Sequence, residues 1–179
     1  LGNQMFAYAS VKTIAQNRGE SFGFVRAKNN LINDTDKQYG NEIHTIFPNT
    51  QAEFLPELPS EISHTWEEPP LRERTANYQP SALTVPENTL MKGHFISCQY
   101  FWENRSQVQE WFSFPVDIEQ AVQQELAELQ AKYPNRPLIA THFRVGRDYT
   151  KQGFLLADDY WYHAADEVLK RCDDPVFLL

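Results

Sequence analysis

The sequence predicts an α/β chain built from strand–helix–strand units, and two patterns carry this prediction. Toward the carboxyl end, the apolar run Leu138–Ala140 is typical of a buried strand, and a helical repeat over residues 159–172 leads to a second apolar run at residues 176–179. Near the amino end, a helical pattern over residues 5–18 precedes an alternating, strand-like segment at residues 21–26. With one further strand before its helix, this segment would also complete an α/β unit.

Composition and charge narrow the class of protein. The chain has 179 residues, of which 41% are hydrophobic and 13% aromatic, enough for a packed core. Its net charge of −8 argues against a nucleic-acid partner, because such proteins rely on basic patches. No apolar run approaches the roughly 18 residues of a transmembrane segment. Cys98 and Cys172 are isolated, so we expect neither a disulfide scaffold nor a zinc site. The chain starts without Met and ends in a strand pattern, and we therefore expect a fragment.

The amino-terminal helix is expected to begin after a loop at residues 1–4. Asn3 is placed to act as the N-cap, and Gly19 is placed to end the helix. A loop of Gly2 and Asn3 before a helix presents N–H groups and the positive end of the helix dipole, which suits an anion or a sugar hydroxyl. The alternative is that Asn3 only caps the helix. The apolar face of this helix is predicted to contain Ala7, Tyr8, Val11, Ile14 and Ala15.

Regular patterns weaken between residues 27 and 87, where seven of the 11 prolines lie. This composition predicts loops and short elements. Asp34 and Asp36 form a carboxylate–x–carboxylate triplet that either binds a metal–nucleotide complex or is a solvated turn. Residues 89–101 regain a strand pattern followed by aromatics, and His94, which follows a glycine there, is either structural or part of a site.

The clearest helical pattern starts at Asp117, which forms a capping-box pattern with Gln120. Its predicted buried stripe consists of Ile118, Val122, Leu126, Leu129 and Tyr133. Pro134 and Pro137 then bracket a turn. A long helix, a proline-bracketed turn and a strand indicate a domain boundary, with residues 1–134 in one domain and residues 135–179 at the start of the next.

The stretch most suited to chemistry follows the strand Leu138–Ala140. Two guanidiniums, an imidazole, a carboxylate and a glycine come within one turn of its carboxyl end, contributed by His142, Arg144, Gly146, Arg147 and Asp148. Ligands of open α/β sheets bind outside the carboxyl ends of the strands, and arginine binds phosphate bidentately. The sequence therefore predicts a nucleotide-diphosphate site here.

Three separated stretches resemble glycosyltransferase family 11, the α-1,2-fucosyltransferases. LGNQMFAYA at residues 1–9 resembles the family's Gly-Gly-Leu-Gly-Asn-Gln-Met-Phe-x-Tyr-Ala signature. GHFISCQYF at residues 93–101 is similar to its Gly-x-Phe-x-Ser-x-x-Tyr-Phe segment, and HFRVGRDY at residues 142–149 to its His-x-Arg-x-Gly-Asp-Tyr motif. Here Arg147 separates Gly146 from Asp148, as in the His-x-Arg-x-Gly-x-Asp form of the protein O-fucosyltransferases.

The resemblance implies a GT-B-like fold, with a Rossmann-type N-terminal, acceptor-side domain followed by the first strand–helix–strand of a second, GDP-sugar-binding Rossmann-type domain. It implies inverting transfer of L-fucose from GDP-fucose to a glycan acceptor, a galactoside in an α-1,2 linkage, without a metal or other cofactor. It also implies a cytoplasmic or membrane-peripheral enzyme. Three alternatives stay open: a non-catalytic nucleotide-sugar or glycan-binding module, an inactive fragment of such an enzyme, and a metal-dependent sugar transferase that uses Asp34 and Asp36.

The resemblance also implies roles for single residues. Arg144 would bind the β-phosphate and stabilise the departing GDP as the catalytic residue. His142 would orient that contact or bond the nucleotide, and its alternative is a purely structural imidazole. The residues assigned to donor binding are Gly2, Asn3, His142, Arg144, Gly146 and Asp148. No side chain stands out as the general base.

Overall fold

The structure is a computed structural model that describes residues 2–25, 43–70, 77–143 and 146–179. The chain divides into two compact units, Leu1–Val116 and Asp117–Leu179. This division lies in the first turn of the long helix that follows Pro115, whereas the sequence patterns place a domain boundary after that helix. The assignment of domains at residues 134 and 135 stays a prediction.

Helices and parallel strands both occur in each unit, which confirms the predicted α/β class. The helices are α1 (Gly2–Asn17), α2 (Ile43–Ile46), α3 (Arg105–Trp111), α4 (Val116–Lys132), α5 (Arg147–Gln152) and α6 (Asp158–Leu169). The strands are β1 (Phe24–Val25), β2 (Phe54–Leu55), β3 (His64–Glu67), β4 (Thr89–Lys92), β5 (Leu138–Ala140) and β6 (Val176–Leu178). Short 3₁₀ helices lie at Pro48–Glu53, Pro80–Thr84, Cys98–Tyr100 and Trp102–Asn104. The described strands pair in parallel as β1–β2, β3–β4 and β5–β6. A GT-B-like arrangement of Rossmann-type domains stays a prediction.

The second unit contains the strand–helix–strand arrangement that the sequence predicts. Strand β5 pairs in parallel with β6, with Leu138 opposite Val176, and α5 and α6 lie between them in the chain. Arg136 joins the turns that precede both strands, because its guanidinium contacts both carboxylate oxygens of Asp174 at 2.9 Å. This bidentate pair aligns the starts of the two strands.

Other predictions for the second unit are wrong in detail. Ile118, Val122 and Leu126 form the expected stripe on α4, but their exposed fractions are 40%, 56% and 36%. The helical period identifies an apolar face without showing whether this part of the chain covers it. Strand β5 is half-buried at Leu138 and Ile139 rather than fully buried.

Helix α1 is the centre of the first unit, and it is buried on more than the one predicted face. One apolar cluster contains Tyr8, Ala9, Ile43, Phe47 and Trp111. A second cluster contains Ile14, Ala82, Phe95 and Tyr100. Gly19 ends the helix as predicted: it adopts φ +70°, and the N–H of Glu20 donates to the carbonyl of Ala15 at 2.9 Å. This is a Schellman ending, which needs a left-handed residue.

A polar triad lies in the interior beside the first cluster. The ammonium of Lys12 contacts Glu53 Oε1 at 2.6 Å and donates to the Tyr8 hydroxyl at 2.9 Å. The Tyr8 hydroxyl donates in turn to Glu53 Oε2 at 2.9 Å. Lys12 Nζ also lies 4.6 Å from the centre of the Trp111 ring. The triad ties α1 to the 3₁₀ helix Pro48–Glu53, because each buried polar group has a partner across that contact.

The triad predicts a loss of stability at alkaline pH. Burial raises the pKa of Tyr8 above its ordinary value, and the hydrogen bond to Glu53 and the charge of Glu53 raise it further. Above about pH 10 the unfolded chain therefore loses this proton while the folded chain retains it. The free energy of unfolding should fall by up to about 1.4 kcal/mol per pH unit on this account. Urea unfolding of the wild type and of Tyr8→Phe, over a pH series from neutral to alkaline, checks this, and parallel pH profiles would contradict it.

Candidate functional site

The register of β3 and β4 places a carboxylate next to a glycine. Glu67 pairs with Lys92, so Glu68 follows β3 at the point where Gly93 follows β4. The N–H of Glu68 donates to the carbonyl of Lys92 at 2.8 Å, which extends the pairing by one residue. A Cβ at Gly93 would lie 2.6 Å from Glu68 Cβ, so only glycine fits beside this side chain.

Glu68 fixes the loop that begins the second motif stretch. Its side chain is buried, with Glu68 8% exposed, and Oε2 accepts the N–H groups of His94 at 2.8 Å and Phe95 at 3.2 Å. Phe95 has φ +52°, a left-handed conformation that is strained for a bulky residue. Charge-assisted hydrogen bonds and the burial of the Phe95 ring offset this strain. The His94 side chain is exposed.

Gly93→Ala should therefore destabilise the first unit. The new methyl group would collide with Glu68 Cβ, an atom close to the backbone, and would displace the carboxylate from its two N–H donors. Overpacking of this kind costs about 1–3 kcal/mol. Gly2→Ala is the matched control, because nothing lies within 4 Å of a Cβ at Gly2. Thermal and urea unfolding of the two variants would compare them, and equal stability would contradict this account of Gly93.

The loop held by Glu68 leads into a groove of about 410 Å³ in the first unit. Its lining residues are Phe6, Asn77, Tyr78, Ile96, Ser97, Cys98 and Gln99. Phe6 comes from α1, and the last four residues come from the second motif stretch. The groove therefore joins parts of the chain that are some 90 residues apart in sequence.

A row of aromatic rings supports the groove. Ring centres are 5.6 Å apart for Trp66 and Phe95, 5.7 Å for Phe95 and Tyr100, and 4.8 Å for Tyr100 and Tyr78. The N–H of Gln79 donates to the Tyr100 hydroxyl at 2.7 Å. This bond fixes the segment that carries Tyr78 against the turn that follows Ser97. Trp66 and Tyr100 therefore do not line the groove but belong to the row of rings that supports it from behind.

The structure brings the first two motif stretches together. The Phe6 and Phe101 rings are 5.7 Å apart. Gly2 and Asn3 are exposed and belong to the first turn of α1, so the predicted loop, with Asn3 as N-cap, is wrong. The side chains of residues three and four apart lie on the same helix face, which places Gly2 and Asn3 one turn from Phe6. Their donor-binding role stays a prediction.

The third motif stretch lies in the second unit, and the structure describes part of it. His142 is exposed two residues after β5, and Gly146 is exposed and extended immediately before α5. The carbonyl of Gly146 accepts the N–H groups of Tyr149 at 3.0 Å and Thr150 at 3.1 Å. Arg144 lies outside the described residues, and Asp148 is described only as a backbone position of α5. Their predicted roles stay predictions.

Neither a metal-ligand cluster nor a membrane-spanning helix occurs in the described ranges of the chain. Within them no group of three or more His, Cys, Asp and Glu side chains could hold a metal ion. Asp34 and Asp36, the alternative metal ligands, lie outside the described residues. Of the helices in the part of the chain that the structure describes, none is long and apolar enough to cross a membrane.

Sequence patterns did not indicate Glu68, Asn77 or Tyr78. Glu68 acts through the β3–β4 register, and a parallel pairing between distant strands leaves no local pattern. Asn77 and Tyr78 belong to the proline-rich part of the chain, where periodicity carries no information. The sequence signal for Glu68 is a glutamate directly after one strand together with a glycine directly after the strand that pairs with it.

Comparison with protein-family models, curated proteins and solved structures gives no match to this chain. The family resemblance therefore rests on the three motif stretches.

Proposed function

We propose that this chain is part of an inverting glycosyltransferase that moves L-fucose from GDP-fucose to a galactoside hydroxyl in an α-1,2 linkage. The observation that supports the proposal is the groove lined by Phe6 and by residues 96–99. These residues belong to the first two stretches that resemble the fucosyltransferases, and the shared groove gives both stretches one place in which to act. The second unit adds a parallel β5–β6 pair, with the third stretch directly after β5.

The proposed chemistry is stabilisation of a leaving group by cations and backbone groups. When the bond between fucose and phosphate breaks, negative charge develops on GDP. Arg144 grips the β-phosphate bidentately, and the imidazole of His142 orients that contact. Gly146 allows the backbone to approach the phosphates, and Asp148 orients the arginine or binds the nucleotide. Because arginine takes the role that Mg²⁺ has in other transferases, the proposal includes no metal and no other cofactor.

We further propose that the enzyme acts in the cytoplasm or at the periphery of a membrane, with GDP-fucose and a glycan as its partners. We do not expect the enzyme to bind nucleic acid, because the chain's net charge of −8 opposes binding to phosphate backbones.

Calorimetry with GDP, followed by a fucose-transfer assay with lactose as acceptor, tests the proposal. We expect the whole enzyme, of which this chain is proposed to be part, to bind GDP more tightly than UDP and to transfer labelled fucose at a rate that EDTA does not change. Binding of GDP without turnover would support the non-catalytic module instead. Loss of activity in EDTA would support the metal-dependent transferase, and absence of GDP binding would contradict the donor assignment.

A further inference from the structure

The charge of the groove in the first unit restricts what it can bind. Its volume of about 410 Å³ is within the usual range of small-molecule sites. The described residues that line it are uncharged at neutral pH: Phe6, Asn77, Tyr78, Ile96, Ser97, Cys98 and Gln99. An ionised ligand would lose hydration there without a counter-charge from these residues, which is costly. A neutral ligand is therefore favoured.

Two aromatic rings favour a ligand with a flat apolar face. Phe6 packs on Phe101 at 5.7 Å between ring centres, and Tyr78 packs on Tyr100 at 4.8 Å. Both rings are held by an aromatic neighbour while they line the groove. The face of an aromatic ring carries partial negative charge, and it attracts the C–H groups on one face of a pyranose ring.

Three polar side chains in the groove can form hydrogen bonds with the hydroxyl groups of a sugar. Asn77 and Gln99 are exposed, and each offers a carbonyl acceptor and an NH₂ donor. Sugar hydroxyls both donate and accept, so an amide can satisfy either function. The Ser97 hydroxyl accepts the N–H of Gln99 at 3.3 Å, a bond that does not use its own proton. The groove thus combines aromatic rings with paired donors and acceptors.

We propose that this groove is a binding site for a neutral pyranoside. Binding of the sugar follows from the lining residues alone. Its identity as the acceptor in the transfer reaction rests on the proposed function.

An NMR titration of the full chain with methyl β-D-galactopyranoside tests this site. We expect the amide signals of Ser97, Cys98 and Gln99 to shift with a single saturating curve. Asn77→Ala and Gln99→Ala should each weaken binding by about two- to tenfold, the range for one lost hydrogen bond. Gln51→Ala is the control, since it removes an exposed amide elsewhere in the same unit.

A second pair of variants separates ring stacking from hydrogen bonding. Tyr78→Phe keeps the ring and should bind within about threefold of the wild type, whereas Tyr78→Leu should weaken binding by at least about tenfold. Circular dichroism and unfolding curves show whether Tyr78→Leu is folded. If it is not, the exposed Asn77 and Gln99 variants decide the matter. Unshifted amide signals, or wild-type affinity in both amide variants, would overturn the site.

The transfer assay distinguishes failure of the groove assignment from failure of the proposed function. If the chain transfers fucose while Asn77→Ala and Gln99→Ala keep the wild-type KM for the acceptor, the groove assignment fails and the function stands. If the glycoside binds as described but the whole enzyme that contains this chain binds neither GDP nor GDP-fucose, the function fails and the groove assignment stands.

Discussion

Replacement of Arg144 by alanine is expected to lower kcat for fucose transfer by about 100- to 1000-fold, the effect of removing one preorganised donor from a developing negative charge. The physical reason is that a guanidinium can donate two parallel hydrogen bonds to a diphosphate, and alanine offers none. The free energy of unfolding should change by less than about 1 kcal/mol, because the proposed role of the guanidinium is to bind the donor and not to support the fold. Radiolabelled transfer and urea unfolding measure the two quantities.

Three further variants make the experiment on Arg144 specific. Arg144→Lys retains the charge without the bidentate geometry and should recover only part of the rate. Arg147→Ala removes the inserted neighbour and should have a smaller effect than Arg144→Ala. Arg171→Ala, in the same unit, removes an exposed guanidinium whose contact is a 3.6 Å ion pair with Glu167, and it should leave kcat unchanged. Near wild-type transfer by Arg144→Ala would show that its assigned role is wrong.

Local patterns predicted the elements of this chain better than their burial. The apolar run at Leu138–Ala140 and the run that begins at Val176 became a parallel pair, and Gly19 ends α1 with the left-handed geometry that its position suggested. These features depend on neighbouring residues in the sequence. The exposed stripe of α4 depends on what packs over it, and a periodic pattern contains no information about that.

Helix α1 gives the opposite case, in which polar residues that the local pattern assigns to the solvent side are buried. Of the five residues expected on one buried face, Ala7 and Val11 are only half-buried. Ser10, Lys12 and Thr13, which were not expected there, are buried. Polar side chains on a helix normally indicate its solvent side. Lys12 is buried here because Glu53, 41 residues away, provides a counter-charge that no local pattern reveals.

Some residues of the candidate site could be predicted from local motifs, whereas others depend on contacts between distant parts of the chain. Phe6 and residues 96–99 fall within stretches that the sequence singled out, because the motif residues themselves line the groove. Glu68, which holds the loop at His94 and Phe95, was missed because it acts across a strand pairing.

Glu53 provides the counter-charge for the buried ammonium of Lys12, at 2.6 Å. Glu53→Gln should destabilise the chain by about 3 kcal/mol, because it leaves the Lys12 ammonium, whose side chain is 9% exposed, without its carboxylate. Glutamine retains an oxygen that can accept the Tyr8 hydroxyl. The cost of the variant therefore reports the unpaired charge rather than a lost hydrogen bond to Tyr8. Urea unfolding of the single variant gives this value directly.

Lys12→Met in the Glu53→Gln background should then restore about 2 kcal/mol, because it removes the unpaired charge and fills the same space with an apolar chain. Lys12→Met alone should cost less than Glu53→Gln alone, since the side chain of Glu53 is 24% exposed and retains some hydration. The complete double-mutant cycle isolates the coupling between the two charges. If the effects of the two substitutions simply add, the ion pair does not stabilise the contact between α1 and the 3₁₀ helix Pro48–Glu53, and the apolar clusters around Tyr8 hold that contact without it.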